Sequence, residues 1–485
     1  MNADSTLDVT AKLDNLLRKR ACGALFINGP ACAGFDALLG QLAEATRPAK
    51  GLSILGPYRV SADRVDDLRD LIRDELVAQG YISGGGTETP PPNHKALWEL
   101  LNSVGDRQQN QTFLVLVELI GGLLLGNEGP GDLFSDIRHF EGVWRDRSVQ
   151  VVYAIAGSWW HQEIEAYFDR IHVSFPYSPG RNYVRWTGVD RATVATMTRE
   201  SLGAAGTPIV SDVIYELGGG HWEVTRSLLG AVHERPIQLQ SLWNHTRRIA
   251  QDGPLARELL SGWHRLPPRS RKLLHRLLTT RCVAEHHTNE RIKEPLLAVG
   301  IAQEVTINET RYLRFFSPFT ELCVRAHLAE FDLADPALER VNLDEIVPEL
   351  DILGSYGYQL VRDIENLVRS YVMLQVQIGQ HVETRHFPGY REAKEYRRGE
   401  VRHGLPVEFN PLISYFSVRD LAEIVRQTAL NHNADTWRAI ERSLNDLVTV
   451  RNAVMHNRVI GFDALDRLQT LRGQIYTAIS ESYRA

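Results

Sequence analysis

The sequence predicts a multidomain protein, α/β in its N-terminal half and all-α in its C-terminal third, and three observations carry that prediction. Between residues 1 and 250, three short apolar runs, ALFING (24–29), TFLVLVEL (112–119) and VQVVYAIAG (149–157), alternate with amphipathic stretches, as strands of a parallel sheet covered on both faces require. From 251 to 344, three helical stretches precede VTINETRYLRFF, where Asn308 and Glu309 can turn a small hairpin. From 345 to 485 nearly every stretch has helical period, interrupted by the polar insertion ETRHFPGYREAKEYRRGEVRHGLP (383–406). SGGGTETPPPN (83–93) reads as a loop before a helix at 94–104.

A chain of 485 residues accommodates these three domains at about 150 residues each. With 54 basic and 60 acidic side chains the net charge is -6, which excludes a protein that coats nucleic acid indiscriminately and leaves room for a local basic site. Cys22, Cys32, Cys282 and Cys323 have no CxxC spacing, so we expect thiols of a reducing compartment and neither a disulfide scaffold nor structural zinc. The N-terminus puts acids before its basic cluster, the reverse of a secretory signal. The apolar run 113–125 contains Glu118 and a Gly-Gly pair and falls short of the roughly 20 residues a membrane span needs. These features point to the cytoplasm, with no membrane partner.

After the first apolar run comes GPACAGFD, with Gly29 and Gly34 at the GxxxxG spacing, and then a helical stretch. A phosphate-cradling loop requires a Lys against the phosphates and a Ser or Thr hydroxyl on magnesium, whereas Phe35 and Asp36 stand in those places. A ring supplies no cation, and a carboxylate at that helix start competes with phosphate for the same dipole. The second run ends VLVEL, with Val117 where a metal-holding Asp belongs and Glu118 after it. Loop, strand order, the turn in ELGGGHWEVTRSLLG (216–230) and the hairpin-bearing segment together resemble the AAA+/STAND class of P-loop ATPases over about residues 10–330, with a winged helix at 251–344. The resemblance implies the fold and a regulatory or assembly role with a protein partner, and not ATP turnover. No cofactor is required on this reading. A vestigial nucleotide at Gly29, Gly34, Phe35, Asp36 and Glu118, or a generic α/β turn, both stay open. RLPPRSRKLLHRLLTTR (265–281) is basic all round, so a packing role is expected before DNA contact.

The strongest chemical signal is TWRAIERSLNDLVTVRNAVMHNRVI (436–460). Trp437, Ile440, Leu444, Leu447 and Val448 advance by three or four, and Arg451 and Met455 continue the stripe. By rotation Arg451 lies about 20° from Leu444, so a permanent cation falls in the centre of the face that should bury. Either a carboxylate of the opening helix (360–376) pairs with it structurally, or a ligand does. Asn452 and His456, four apart, stack on one flank, where an amide can orient an imidazole.

The motif RNAVMH, with LVRDIENLVRSYVMLQV (360–376) and ISYFSVRDLAEIVRQ (413–427) around it, resembles the HEPN ribonuclease superfamily over about residues 345–485. That resemblance implies a helical bundle that homodimerises, metal-independent cleavage of an RNA substrate, and 2′,3′-cyclic phosphate products. Arg451 would hold the scissile phosphate, His456 would act as acid or base on the 2′-hydroxyl, and Asn452 would hold the site. It further implies an effector of prokaryotic defence or toxin–antitoxin type. The rival readings are a non-catalytic RNA- or protein-binding adaptor and a DNA-bound AAA+-like scaffold. In the insertion, Arg391, Arg397 and Arg398 interleave with Tyr390 and Tyr396 as a single-stranded RNA needs, while the glutamates beside them fit a solvated loop equally. Glu365 and Arg369 read as an ordinary surface pair. His286–His287 lacks further partners at ligand spacing, and no metal site is expected.

Overall fold

A computed structural model describes residues 5–18, 23–30, 34–46, 51–61, 66–81, 111–120, 149–170, 183–186, 188–203, 206–232, 237–285, 288–307, 309–331, 333, 335, 338, 340–343, 346, 350–378, 389–403, 412–429, 434–455 and 460–482. The expected loop and helix at 83–104 lie outside these residues. The chain divides into two units, residues 1–233 with 244–346, and residues 234–243 with 347–485.

In the first unit the described elements run α1 (Ser5–Arg18), β1 (Gly23–Asn28), α2 (Phe35–Thr46), β2 (Leu52–Ser61), α3 (Asp66–Ala78), β3 (Gln111–Ile120), β4 (Val149–Gly157), α4 (His161–Arg170), β5 (Tyr183–Arg185), α5 (Arg191–Leu202), α6 (Pro208–Gly218) and α7 (Trp222–Gly230). Then α8 (Leu239–Asp252), whose residues 239–243 belong to the second unit, α9 (Pro254–Trp263), α10 (Pro268–Thr280), β6 (Cys282–Ala284), α11 (Glu290–Ala298), β7 (Ala302–Ile307), β8 (Thr310–Phe315) and α12 (Pro318–Ala326) follow. The second unit holds α13 (Asp351–Ile378), α14 (Tyr390–Arg402), α15 (Val418–Ala429), α16 (Ala434–Met455) and α17 (Phe462–Ser482). No described helix is long and apolar enough to cross a membrane.

Strands β1 to β5 form one parallel sheet in the order β2-β3-β4-β1-β5. The three expected apolar runs are its central strands β3, β4 and β1, buried on both faces. β2 and β5 are not among the expected runs. β2 lies at the edge and buries only alternate residues, so it lacks a continuous apolar signature. The polypeptide leaves β1 to cross to β2 on one side, while β5 lies on the other, so the C-terminal end of β1 is a topological switch point, where open parallel sheets form crevices.

Helices α9 to α11 and the antiparallel sheet β6-β8-β7 build a mixed module in the same unit. The expected hairpin joins Ile307 to Thr310, and Glu309 takes a positive φ of 68° in its turn. Trp263 of the module is solvent-free, and its indole donates to the Val299 carbonyl at 3.1 Å. Lys293, buried, gathers the carboxylates of Glu285, Glu290 and Glu304. A reciprocal capping box between Ser317 and Thr320 starts α12.

The module is fastened to the sheet by one buried cation. Arg265, in the turn between α9 and α10, pairs with Glu163 of α4, donates to the Ser158 carbonyl at 2.6 Å, and lies 5.3 Å from the Trp160 ring centre. Both partners are nearly solvent-free, at 9% and 2% exposure. Removing one member strands a buried charge, so Arg265→Ala should lower unfolding stability by about 3–5 kcal/mol. Urea titration measures the difference, and an unchanged midpoint would show that the pair fastens nothing.

The second unit is a helical bundle. Val361, Ile364 and Val368 of α13 are buried, as are Leu421 and Ile424 of α15, Ile440, Leu444 and Leu447 of α16, and Leu465, Leu468 and Ile475 of α17. At its N-terminal segment the Asp466 carboxylate accepts from the Leu239 and Gln240 N–H groups, at 2.9 and 3.0 Å, and so caps the start of α8. The insertion, expected as an interruption of helical structure, contains the helix α14. Its sequence is polar nearly all round and so shows no apolar period.

Candidate functional site

Both ends of the loop after β1 pack against other parts of the unit. Gly34 has φ +81°, and a Cβ there would overlap the Trp222 side chain at the start of α7. The Phe35 ring, buried, lies 5.6 Å from the Trp186 ring. Pro30 sits against Gly300, at φ +73°, where a Cβ would likewise overlap the prolyl ring. Ser158 donates to the Gly29 carbonyl at 2.7 Å, Gly29 N–H donates to the Gly157 carbonyl at 3.1 Å, and the Trp159 N–H donates to Asn28 Oδ1 at 2.8 Å. The backbone groups at the loop's entry are thus satisfied within the fold. Residues 31–33, between the two glycines, lie outside the described residues.

The surrounding charge has the wrong sign for phosphate. Glu118, at the end of β3, is buried, and its pKa is pushed up to about 7, chiefly by burial. Arg59 on β2 opposes that shift, while Asp36, Glu258 and Glu223 add to it. Arg59 is the cation among them, 3.6 Å from Glu118 and 2.9 Å from Glu258 of α9. Phe35 and Asp36 in the first turn of α2 therefore face a carboxylate-rich site that does not fit a triphosphate. These acids come from separate elements. Asp36 and Glu118 are visible in the sequence, whereas Glu223, Glu258 and the tryptophan cover are not. Trp222, two residues after the glycine turn at 218–220, is the available signal.

A carboxyl whose folded pKa lies above its unfolded value favours the native state while protonated. Its contribution is full below about pH 4.5 and is lost as pH rises to about 7. Glu118→Gln should match the parent's stability at pH 4.5 and exceed it at pH 8 by on the order of 1–3 kcal/mol. Denaturant midpoints at the two pH values measure this, and a variant no more stable at pH 8 would contradict it.

In the second unit, Arg451 Nε donates to Glu365 Oε1 at 3.3 Å, and Arg369 donates to Glu365 Oε2 at 2.8 Å. Arg369 also reaches the Phe416 carbonyl at 3.3 Å, and Arg451 approaches Asn452 Oδ1 at 3.5 Å. Glu365 and Arg369 are thus not the expected surface pair. Glu365 is buried and shared by two guanidinium groups, which leaves one net positive charge. Arg451 is also not at the centre of the buried face. The buried positions proceed from Leu447 to Val450 and Val454, so Arg451 falls at the margin with its side chain 32% exposed, and Met455 is exposed at 41%. Asn452 is exposed, and His456 lies outside the described residues.

Within the insertion, Arg391 and Arg398 are exposed on α14 and Arg397 is half-buried. His286 and His287 lie outside the described residues. Among the described residues, the grouped metal-type ligands are Glu285, Glu290 and Glu304, and the Lys293 ammonium already occupies their centre.

No family model matches the chain, and no curated protein matches it. Among solved structures, it is similar to the Walker-type ATPase PABY2304 of Pyrococcus abyssi, at 13% identity and TM-score 0.45, over 66% of this chain and 95% of that one. It is also similar to the ADP form of the Aeropyrum pernix ORC2 protein (14%, TM-score 0.37, 68% and 94% covered) and to a point variant of Thermotoga maritima RuvB (12%, TM-score 0.32, 64% and 91% covered). The parallel sheet, with a glycine-bearing loop and a helix after β1 at its switch point, is an open α/β architecture.

Proposed function

We propose that the chain is a metal-independent endoribonuclease of HEPN type whose ATPase-like unit regulates or assembles without turning over ATP. One observation carries the reading: Arg451 stands at the rim of the helical bundle, steered through Nε by the buried Glu365, with part of its guanidinium open to solvent. A structural ion pair satisfies a cation by burying it. Here the carboxylate is divided between Arg369 and Arg451, and the remaining positive charge suits a phosphodiester, whose oxygens match the guanidinium fork. Glu365 is a positioning residue on this reading. The RNAVMH motif supplies the second part, an imidazole four residues beyond Asn452 that can take the 2′-hydroxyl proton and return it to the leaving oxygen near neutral pH. Two copies would pair their motifs across one strand of RNA.

The ATPase-like unit enters as scaffold. With Phe35 and Asp36 in the phosphate-binding positions and Trp222 over Gly34, its conformation would answer to a partner protein and not to a nucleotide. We read the module at 251–344 as a winged helix used for packing. Arg271, one of its basic residues, donates to the Leu266 and His264 carbonyls at 3.1 and 3.0 Å, which disfavours a DNA-reading role.

The test is incubation of the purified chain with total RNA in EDTA, followed by mapping of the ends. The parent should leave 2′,3′-cyclic phosphates. His456→Ala should lose about 10²–10⁴-fold in cleavage rate. Arg451→Ala should lose cleavage while keeping the parent's melting temperature. Undiminished cutting by His456→Ala would remove the proposal.

A further inference from the structure

The insertion helix α14 carries a charge arrangement that the ribonuclease reading does not itself require. At about 100° per residue, Arg391, Lys394, Arg398 and Arg402 fall within one arc of about 80°, and the opposite side carries Ala393 and Glu400. The burial pattern follows that division. Ala393 is solvent-free, Glu400 accepts a hydrogen bond from the Tyr415 hydroxyl at 2.6 Å, and all four cations are exposed. Among the described residues none of the four is engaged in an ion pair, and Lys394 has its ammonium 5.8 Å from the Tyr390 ring centre. Elsewhere in the same unit Arg369, Arg426 and Arg472 all pair with carboxylates. The α14 row is therefore a set of exposed cations engaged in no ion pair, aligned along about 16 Å of helix, with the exposed Glu395 about 20° beyond its edge.

We propose that this row is the backbone-holding surface for the RNA strand delivered to Arg451. The inference rests on the ribonuclease reading for its purpose, and on α14 alone for its chemistry. The helix is anchored beside the site. Tyr415, which holds Glu400, directly precedes Phe416, whose carbonyl binds Arg369, and Arg369 shares Glu365 with Arg451. A periodic row of cations matches a polymer of phosphates. A membrane surface would call for large apolar side chains on the outward face, where α14 offers only Val401 near the row. Tyr396 is exposed but lies more than a quarter turn away, so the row contacts phosphates without stacking on bases and reads no sequence. Arg397 is half-buried and is not a member of the row.

The experiment measures binding of the full chain to a labelled 20-nucleotide 2′-O-methyl oligouridylate by anisotropy at 50 to 200 mM salt. The probe has no free 2′-hydroxyl, so binding is read whether or not the protein cuts. Each phosphate contact on a single strand contributes about 0.7 to the slope of log K against log salt. Replacing Arg391, Lys394, Arg398 and Arg402 together by Gln should flatten that slope by about 3 and weaken binding at 50 mM by roughly 100-fold or more. Replacing only the three arginines of the row by Lys should retain the slope, as should Arg397→Gln. A parent slope preserved in the quadruple Gln variant overturns the proposal. So does a quadruple variant that keeps its oligonucleotide affinity and loses binding to phosphatidylserine vesicles. A parent that binds the probe with the full slope but leaves total RNA uncut overturns the ribonuclease reading and retains the row as an RNA-holding surface.

Discussion

The first unit depends on a close approach of main chain and rings at the end of β1. Three separate parts of the unit meet the same loop: Trp222 against Gly34, Trp186 against Phe35, and Gly300 against Pro30. Each contact works because one partner lacks a Cβ or presents a flat ring. In an α/β sheet of this topology the switch point opens a crevice, and here aromatic side chains pack against the residues on either side of the loop that borders it. Burial of aromatic surface stabilises the arrangement. The carboxylates around Glu118 are tolerated beside it because Arg59 bridges two of them and burial keeps Glu118 partly protonated.

The second unit solves a different electrostatic problem. A carboxylate inside a helical bundle is costly unless it is paired, and Glu365 is paired twice, by Arg369 one turn along its own helix and by Arg451 from α16. Two guanidinium groups on one carboxylate leave the more exposed of them under-neutralised. That excess of cation, at a rim position next to Asn452, separates this cluster from the two ion-paired cations of the first unit, which carry no such excess. Arg265 is buried against the single carboxylate of Glu163, and Lys293 is surrounded by three acids.

How much of this is legible in the sequence follows from where each signal resides. The three strands buried on both faces announce themselves as unbroken apolar runs, and the hairpin at 308–309 is carried by its turn residues. Edge strand β2 is illegible because alternate residues of its pleat meet solvent. The centre of the α16 face lies one residue away from the position its spacing suggests, since a stripe read at fixed spacing drifts relative to the true helix over several turns. Glu365 and Arg369 read as a surface pair because their third partner stands 86 residues away, beyond any local pattern. The loop at Gly29 to Asp36 is legible as chemically broken. The tryptophans that pack on its ends come from elsewhere in the chain, so nothing within residues 29–36 announces them.

Helix α14 has a thermodynamic consequence that its charge alone does not convey. Thirteen residues with a single solvent-free side chain form a marginal helix, because nucleation is unfavourable and little apolar surface repays it. Its hold on the unit comes from Ala393, the Tyr415–Glu400 hydrogen bond and the close fit of Gly389 against Asp420. Like charges one turn apart along its outer face push against one another. The segment therefore belongs at the low end of the molecule's local unfolding free energies, exchanging its amide hydrogens sooner than the core helices do, and a polyanion laid along it would supply the missing cooperativity.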